Sequence, residues 1–210
     1  MSGCGYLDGS EITESVSAMI ALSNYEAEYV VFAPSIDFHS VNHLSNEQDL
    51  IVTRNSLIES SRVSRGQAYN LDDLKENDFD ALLFPGGFGA AKILSNWAHK
   101  RSQCWVLPKV EQLITNFHQS SKPIGAICIA PVLIAKTLGA YNVSITIGDD
   151  KETAQEILKT GSQHIDCPVQ DFITDRLNKI ITTPAYMYDS SPNLVFKGIS
   201  GLIKELVEMA

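Results

Sequence analysis

A wholly apolar tetrapeptide, Ile124 to Ile127, runs into Cys128 and then into a helical pattern opened by Pro131. An apolar run with no polar face is what a strand covered on both sides looks like, so this one belongs inside a parallel sheet. Past Ile129 the period changes. Val132, Leu133, Ala135, Lys136 and Leu138 read as a helix that stops at Gly139. Pro131 suits the first helical turn, where its missing N–H loses nothing. Cys128 is therefore expected at a sharp strand-to-helix turn, with a glycine shortly before it to permit the bend. That is the geometry of a nucleophile elbow, with Cys where hydrolases carry Ser. Free backbone N–H groups and the positive end of a helix there favour thiolate over thiol. The same residues also suit a buried cysteine used as a small hydrophobe.

A second informative stretch follows another buried strand. Asp80 to Phe84 runs into Pro85-Gly86-Gly87-Phe88-Gly89, whose exposed amides suit an anion or oxyanion. It lacks the Gly-Lys-Ser/Thr ending of a phosphate loop and misses the GxGxxG spacing. As a plain alternative, it is a tight turn into a helix.

Around these two stretches, strands and helices alternate. Helices are expected over Ser10–Ser23 (buried face Ile12, Val16, Met19, Ile20), Arg54–Arg65, Lys92–Trp97, Val106–Ser120, Lys151–Lys159 and from Pro192 onward. Strands are expected at Glu28–Ala33, Gln67–Tyr69, Val143–Ile147 and His164–Cys167, with a hairpin over Phe172–Ile173 and Ile180–Thr183. The polar stretch Ser35–Thr53 reads as an excursion, with a hairpin as one form of it. This alternation implies an α/β fold, a mostly parallel sheet with helices on both faces, in one domain over residues 1–210. In such sheets a site lies at the carboxyl ends of the strands. Both informative turns fall there.

Composition narrows the function. A formal net charge of −9 argues against general nucleic-acid or anionic-membrane binding. No apolar run approaches the roughly 18 residues of a membrane span. Four scattered cysteines without a CxxC pair fit a reducing compartment better than a disulfide framework or a zinc site.

A cysteine nucleophile needs a proton-moving partner. Glu11 and Glu14 share a face near the start of the first helix, although acids there also simply favour the helix dipole. His164-Ile165-Asp166 would put His and Asp on one face of a strand. Spacing leaves both sets open.

The pairing of Leu83–Ala91 with Gly125–Pro131 resembles the PfpI-like superfamily, which shares the class I glutamine amidotransferase fold. More narrowly, Ser2–Ile12, Asn42-His43-Leu44, Thr53-Arg54-Asn55, Cys167-Pro168 and Thr182–Met187 resemble the ElbB-like (enhancing lycopene biosynthesis, sigma cross-reacting) family. The resemblance covers nearly the whole chain. It implies a flavodoxin-like three-layer sandwich, a homodimer, no cofactor and no metal. It implies Cys128 and Glu14 as catalytic residues and Gly86, Gly87 and Ile129 as oxyanion donors. Glu11, His43, Arg54, Asn55 and Tyr186 would line the pocket.

The activity implied is a glutathione-independent glyoxalase acting on glyoxal or methylglyoxal. The alternative is a non-enzymatic redox-sensing or regulatory protein linked to isoprenoid metabolism. The expected compartment is the cytoplasm, or the mitochondrial matrix in a eukaryote. Two departures count against other activities. Ile129 stands where many relatives have His after the nucleophile, which disfavours a Cys-His protease. The late His-x-Glu of glutaminases has only a loose echo in His164-Ile165-Asp166. A third departure concerns the first residues: such proteins normally carry an apolar strand just ahead of the Ser-Gly-Cys-Gly turn, so Met1 is expected to be that strand's last residue.

Overall fold

The computed structural model describes residues 1–44 and 49–210. In chain order its elements are α1 (Ile12–Asn24), β1 (Val31–Ala33), β2 (Asp37–Val41), β3 (Asp49–Asn55), α2 (Ser56–Val63) and β4 (Ala68–Asn70). There follow β5 (Leu82–Phe84), α3 (Gly89–Lys92), α4 (Trp97–Lys100), α5 (Pro108–Gln119), β6 (Ile124–Ile127) and α6 (Pro131–Leu138). The chain ends with β7 (Ser144–Ile145), α7 (Lys151–Leu158), β8 (Gln163–His164), β9 (Ile173–Asp175), β10 (Ile180–Thr183) and α8 (Pro192–Met209).

This is the expected α/β fold. Its centre is a four-stranded sheet in the order β5-β6-β10-β9, with β5, β6 and β10 parallel and β9 antiparallel at the edge. Every residue of β6 and β10 is buried: β6 is wholly apolar, and in β10 the Thr182 hydroxyl accepts the Thr146 N–H while the Thr183 hydroxyl donates to the Asp171 carbonyl. β1 pairs in parallel with β4, and β2 with β3 forms an antiparallel hairpin. The polar excursion is therefore a hairpin, of which Ser45–Gln48 lie outside the described residues.

Proline sets the start of three helices, standing in the first turn of α5, α6 and α8. α5 buries Val110, Leu113, Ile114 and Phe117, and α8 buries Val195, Ile199, Leu202 and Leu206, each following the helical period. Gly125 lets α8 approach the sheet: a Cβ there would crowd Leu83, Leu202 and Leu206. All four cysteines are free.

Two expectations fail. The helix expected over Lys92–Trp97 is instead two short helices, α3 and α4, with Ile93–Asn96 between them. Ser95 there caps a turn by donating to the Ala90 carbonyl and pairs with Val106. The second failure is the face of α1. Ile12, Val16 and Ile20 are exposed by 47%, 39% and 48%, while Glu14, Ser15, Ser17, Ala18 and Ala21 are buried. α1 packs along α8, and small side chains permit that approach. The stripe of large residues is thus left outside, and a carboxylate is turned inward.

Candidate active site

Cys128 leaves β6 with a positive φ of 62°, in the left-handed region that a non-glycine residue occupies only at a cost. The bend is carried by the cysteine itself, not by the nearby glycine. Its N–H donates to the Thr183 carbonyl at 2.9 Å, which ties the elbow to the end of β10. The Ala130 N–H then donates to the Ile127 carbonyl at 3.0 Å and closes the turn into α6. The outcome is a side chain only 7% exposed, with the N–H groups of Gly87 and Ile129 donating to the sulfur.

Glu14 reaches this sulfur from α1 and is completely buried. Its Oε1 accepts the Tyr186 N–H at 3.1 Å, and the Gly86 N–H is a further donor to the carboxylate. Its Oε2 is buried with no well-aligned partner, and it meets the cysteine side chain across Gly86. A Cβ on Gly86 would collide with both Glu14 Oε2 and Cys128 Cβ. Only glycine fits between them.

Glu11 fixes the start of α1. Its N–H donates to the Gly86 carbonyl at 2.9 Å, and its own carboxylate accepts the Glu14 N–H at 2.5 Å as the helix N-cap. The helix and the glycine turn are thereby locked together. Gly87, with φ of 95°, backs onto the Glu11 N–H and the Gly9 carbonyl so closely that a side chain is excluded.

Electrostatics correct one expectation. The Cys128 thiol is not shifted toward thiolate: burial pushes it well above its ordinary 9.0, the Glu14 carboxylate adds to this, and the Gly87 and Ile129 amides pull back only in part. Glu14 is pushed up from 4.5 to about 8, by burial first and by the Glu11 charge second, with the Tyr186, Cys128 and Gly86 hydrogen bonds opposing. At neutral pH the resting pair holds its protons. A carboxyl group with a pKa near 8 can both take and give a proton there, which is what general acid–base chemistry at this cysteine requires.

The structure thus brings Cys128, Glu14, Gly86, Gly87, Ile129, Glu11 and Tyr186 together. It divides the donors differently from the expectation: Gly87 and Ile129 serve the sulfur, and Gly86 serves Glu14. His43, Arg54 and Asn55 find their partners elsewhere. His43 stacks edge-on with Tyr6 and lies 3.5 Å from Asp8, Arg54 pairs with Glu59 at 3.2 Å, and Asn55 caps α2. His164 accepts the Ile147 N–H at 3.3 Å and lies 3.6 Å from Asp166. The residue whose role spacing did not reveal is Tyr186, which acts through its backbone. A signal was present: Ile180–Thr183 is a buried run ending at the same sheet edge, so the turn after it falls beside the elbow.

Comparison with known proteins gives the family and the fold. A model of the DJ-1/PfpI family matches residues 7–182. The chain is 38% identical over 219 residues to the Homo sapiens glutamine amidotransferase-like class 1 domain-containing protein 3, mitochondrial, a match covering 100% of this chain and 81% of that one. It is 38% identical to the Rattus norvegicus ES1 protein homolog, mitochondrial, over 100% of this chain and 82% of that one. Among solved structures, an isoprenoid biosynthesis protein with amidotransferase-like domain from Ehrlichia chaffeensis superposes with a TM-score of 0.92 at 34% identity, covering 100% of this chain and 97% of that chain.

Proposed function

This chain belongs to the DJ-1/PfpI family, and we propose that within it Cys128 and Glu14 make it an ElbB-like, cofactor-independent glyoxalase for small 2-oxoaldehydes such as glyoxal or methylglyoxal. The observation that carries this reading is the buried Glu14 carboxyl group, raised to about 8 and facing the Cys128 side chain across Gly86. A hydrolase of the Cys-His type would need an imidazole there, and the partners of His164 are Ile147 and Asp166.

The chemistry balances without any other reagent. As the sulfur adds to the aldehyde carbon, ionised Glu14 takes the thiol proton and returns it to the carbonyl oxygen, giving a hemithioacetal. The Gly87 and Ile129 amides stabilise the negative charge during the addition. Glu14 then removes the proton from the carbon bearing sulfur and delivers it to the neighbouring carbon through an enediol. The product is a thioester of the 2-hydroxy acid. Water hydrolyses it, releasing glycolate or lactate and restoring the thiol. No net oxidation occurs.

The direct test is product release from glyoxal and methylglyoxal by purified protein, with Cys128→Ser and Glu14→Gln alongside. Turnover equal to the parent in either variant sinks the mechanism. A second reading, a regulatory protein of isoprenoid metabolism whose Cys128 oxidises reversibly, is favoured by the name of the Ehrlichia chaffeensis structure. Mass spectrometry after mild peroxide separates the two: no preferential oxidation at Cys128 removes the second. We further propose a homodimer formed through the exposed Ile12–Val16–Ile20 face of α1, in the cytoplasm or the mitochondrial matrix. Among the described residues no helix is long and apolar enough to cross a membrane.

A further inference from the structure

The proposed reaction ends with water attacking a thioester on Cys128, and Glu14 is badly placed to activate that water. Its Oε1 is held by the Tyr186 N–H at 3.1 Å. Its Oε2 is turned to the Cys128 side chain, toward the sulfur of the bond that must break. The residue is completely buried, so neither oxygen is open to solvent. A thioester is stable enough in water that its hydrolysis gains from a group that takes a proton as the oxygen adds.

Glu11 has the opposite placing. It stands one turn earlier at the start of the same helix and is half-buried. Its N–H donates to the Gly86 carbonyl at 2.9 Å, and its Oε2 accepts the Glu14 N–H at 2.5 Å. Those two bonds hold the residue beside the turn whose Gly87 amide donates to the sulfur. Among the described residues, Glu11 Oε1 has no hydrogen-bond or ion-pair partner. Capping alone does not call for glutamate, since Ser or Thr caps a helix with a single oxygen. A glutamate leaves a second, charged oxygen over. Burial first, and the Glu11 charge after it, raise Glu14. The Tyr186 hydroxyl, bonded to Thr13, is raised by burial too, with both carboxylates adding. These three groups are therefore neighbours. The tyrosine keeps its proton, which leaves Glu11 to accept one.

We infer that Glu11 is the general base of the hydrolytic step, a role that rests on the thioester reading above. Water held by Oε1 adds to the acyl carbon while Glu11 takes one of its protons. The C–S bond then breaks with its electron pair going to sulfur, and the proton passes from Glu11 to that sulfur. The products are the 2-hydroxy acid and the thiol, and Glu11 is ionised again. Two carboxyl groups in unlike surroundings thus divide the work: the sealed one moves protons on the bound carbons, and the open one moves the proton of water.

The test places an acyl group on Cys128 directly, so that it does not depend on glyoxal turnover. The parent, Glu11→Gln and Glu11→Ser are acetylated with p-nitrophenyl acetate, freed of excess ester and followed at Cys128 by mass spectrometry. Both variants keep an oxygen that can cap the Glu14 N–H, so the helix start survives in either. The parent is expected to lose its acetyl group to water, and to lose it more slowly in heavy water. Both variants are expected to lose it about 10²-fold or more slowly than the parent. Hydroxylamine, nucleophilic without the help of a base, is expected to clear all three at similar rates. Acetyl loss in either variant within about threefold of the parent would overturn the role of Glu11. So would a parent that is not acetylated at Cys128 or keeps its acetyl group, or a reaction with hydroxylamine slowed as much as that with water. Glu11-dependent acetyl loss in a parent that releases no product from methylglyoxal would support Glu11 as the hydrolytic base and sink the glyoxalase reading alone.

Discussion

Glu14 Oε1 accepts the Tyr186 N–H at 3.1 Å, so the proton that Glu14 carries near neutral pH sits on Oε2, the oxygen turned to Cys128. A backbone donor on one oxygen thus aims the acid on the other. The proposed addition step needs ionised Glu14 to take the thiol proton. kcat/KM is therefore expected to rise about tenfold per pH unit on the acid side and to level near pH 8. Glu14→Gln is expected to lose about 10²–10⁴-fold in kcat/KM together with that limb of the profile. A profile whose limb persists in Glu14→Gln would assign it to another group.

The same group makes stability depend on pH. Glu14 has a folded pKa of about 8 against 4.5 for an unperturbed carboxyl. From pH 4.5 to about 8 the unfolded chain has lost this proton and the folded one has kept it, so Glu14 lowers stability as pH rises through that window. Glu14→Gln removes the effect. Its advantage over the parent should be near zero at pH 4 and grow to the order of a few kcal/mol by pH 8. The Met1 amino group, with a folded pKa near 5 against 8.0, acts in the opposite sense over much of this range. It is common to both proteins and cancels in the difference. Urea unfolding of the pair at a series of pH values measures it. A constant difference would mean that Glu14 is ionised in the fold.

Much of this site can be read from sequence because it rests on local patterns. The apolar run Ile124–Ile127 followed by Pro131, and the run Leu82–Phe84 followed by Gly86-Gly87, each state a buried strand and its turn. α5 and α8 announce their faces because large apolar residues repeat at helical spacing and are buried. α1 shows where the reading breaks down. Its strongest apolar period, Ile12–Val16–Ile20, is exposed, since close approach to α8 selects Ser15, Ala18 and Ala21 instead. The protonation state of Cys128 was also out of reach. Helix end and amides argue for a thiolate, but burial and Glu14 are tertiary effects, and they win. The resemblance names Tyr186 as a pocket residue, but its residue type does not say that it acts through its backbone amide.

Gly86→Ala tests the closest contact in the site. The added methyl would strike Cys128 Cβ, which the elbow holds, and Glu14 Oε2, whose displacement would disturb the bond that the same carboxylate accepts from the Tyr186 N–H. A loss of about 1–3 kcal/mol in stability is expected from such overpacking, with kcat falling more than KM rises, since the damage lies between the reacting groups. Gly66→Ala is the control: nothing lies within 4 Å of the Cβ it would gain, although its φ of 86° carries a backbone cost. Equal losses of activity in the two would reduce the Gly86 effect to general destabilisation.

His164 offers a test by indifference. Its Nε2 accepts the Ile147 N–H and its Nδ1 lies 3.6 Å from an exposed Asp166, so its role is to satisfy a buried amide. His164→Gln keeps an acceptor for that amide. Turnover of methylglyoxal is expected to stay within about twofold of the parent, with at most about 1 kcal/mol lost in stability. A drop of a hundredfold at unchanged Tm would bring His164 into the chemistry and reopen a Cys-His mechanism.

The exposed face of α1 makes the last prediction. Ile12, Val16 and Ile20 lie at i, i+4 and i+8, one above another on a helix whose opposite face holds Glu14. A two-fold axis across such a stripe would place it against itself, burying apolar area on both copies at once. Val16→Glu puts two like charges at that axis. By sedimentation equilibrium the parent is expected to be a dimer and the variant a monomer at micromolar concentration. Because Val16 is already 39% exposed in the single chain, the variant monomer should keep its circular dichroism. A parent that sediments as a monomer, or a variant that remains dimeric, would remove α1 as the interface.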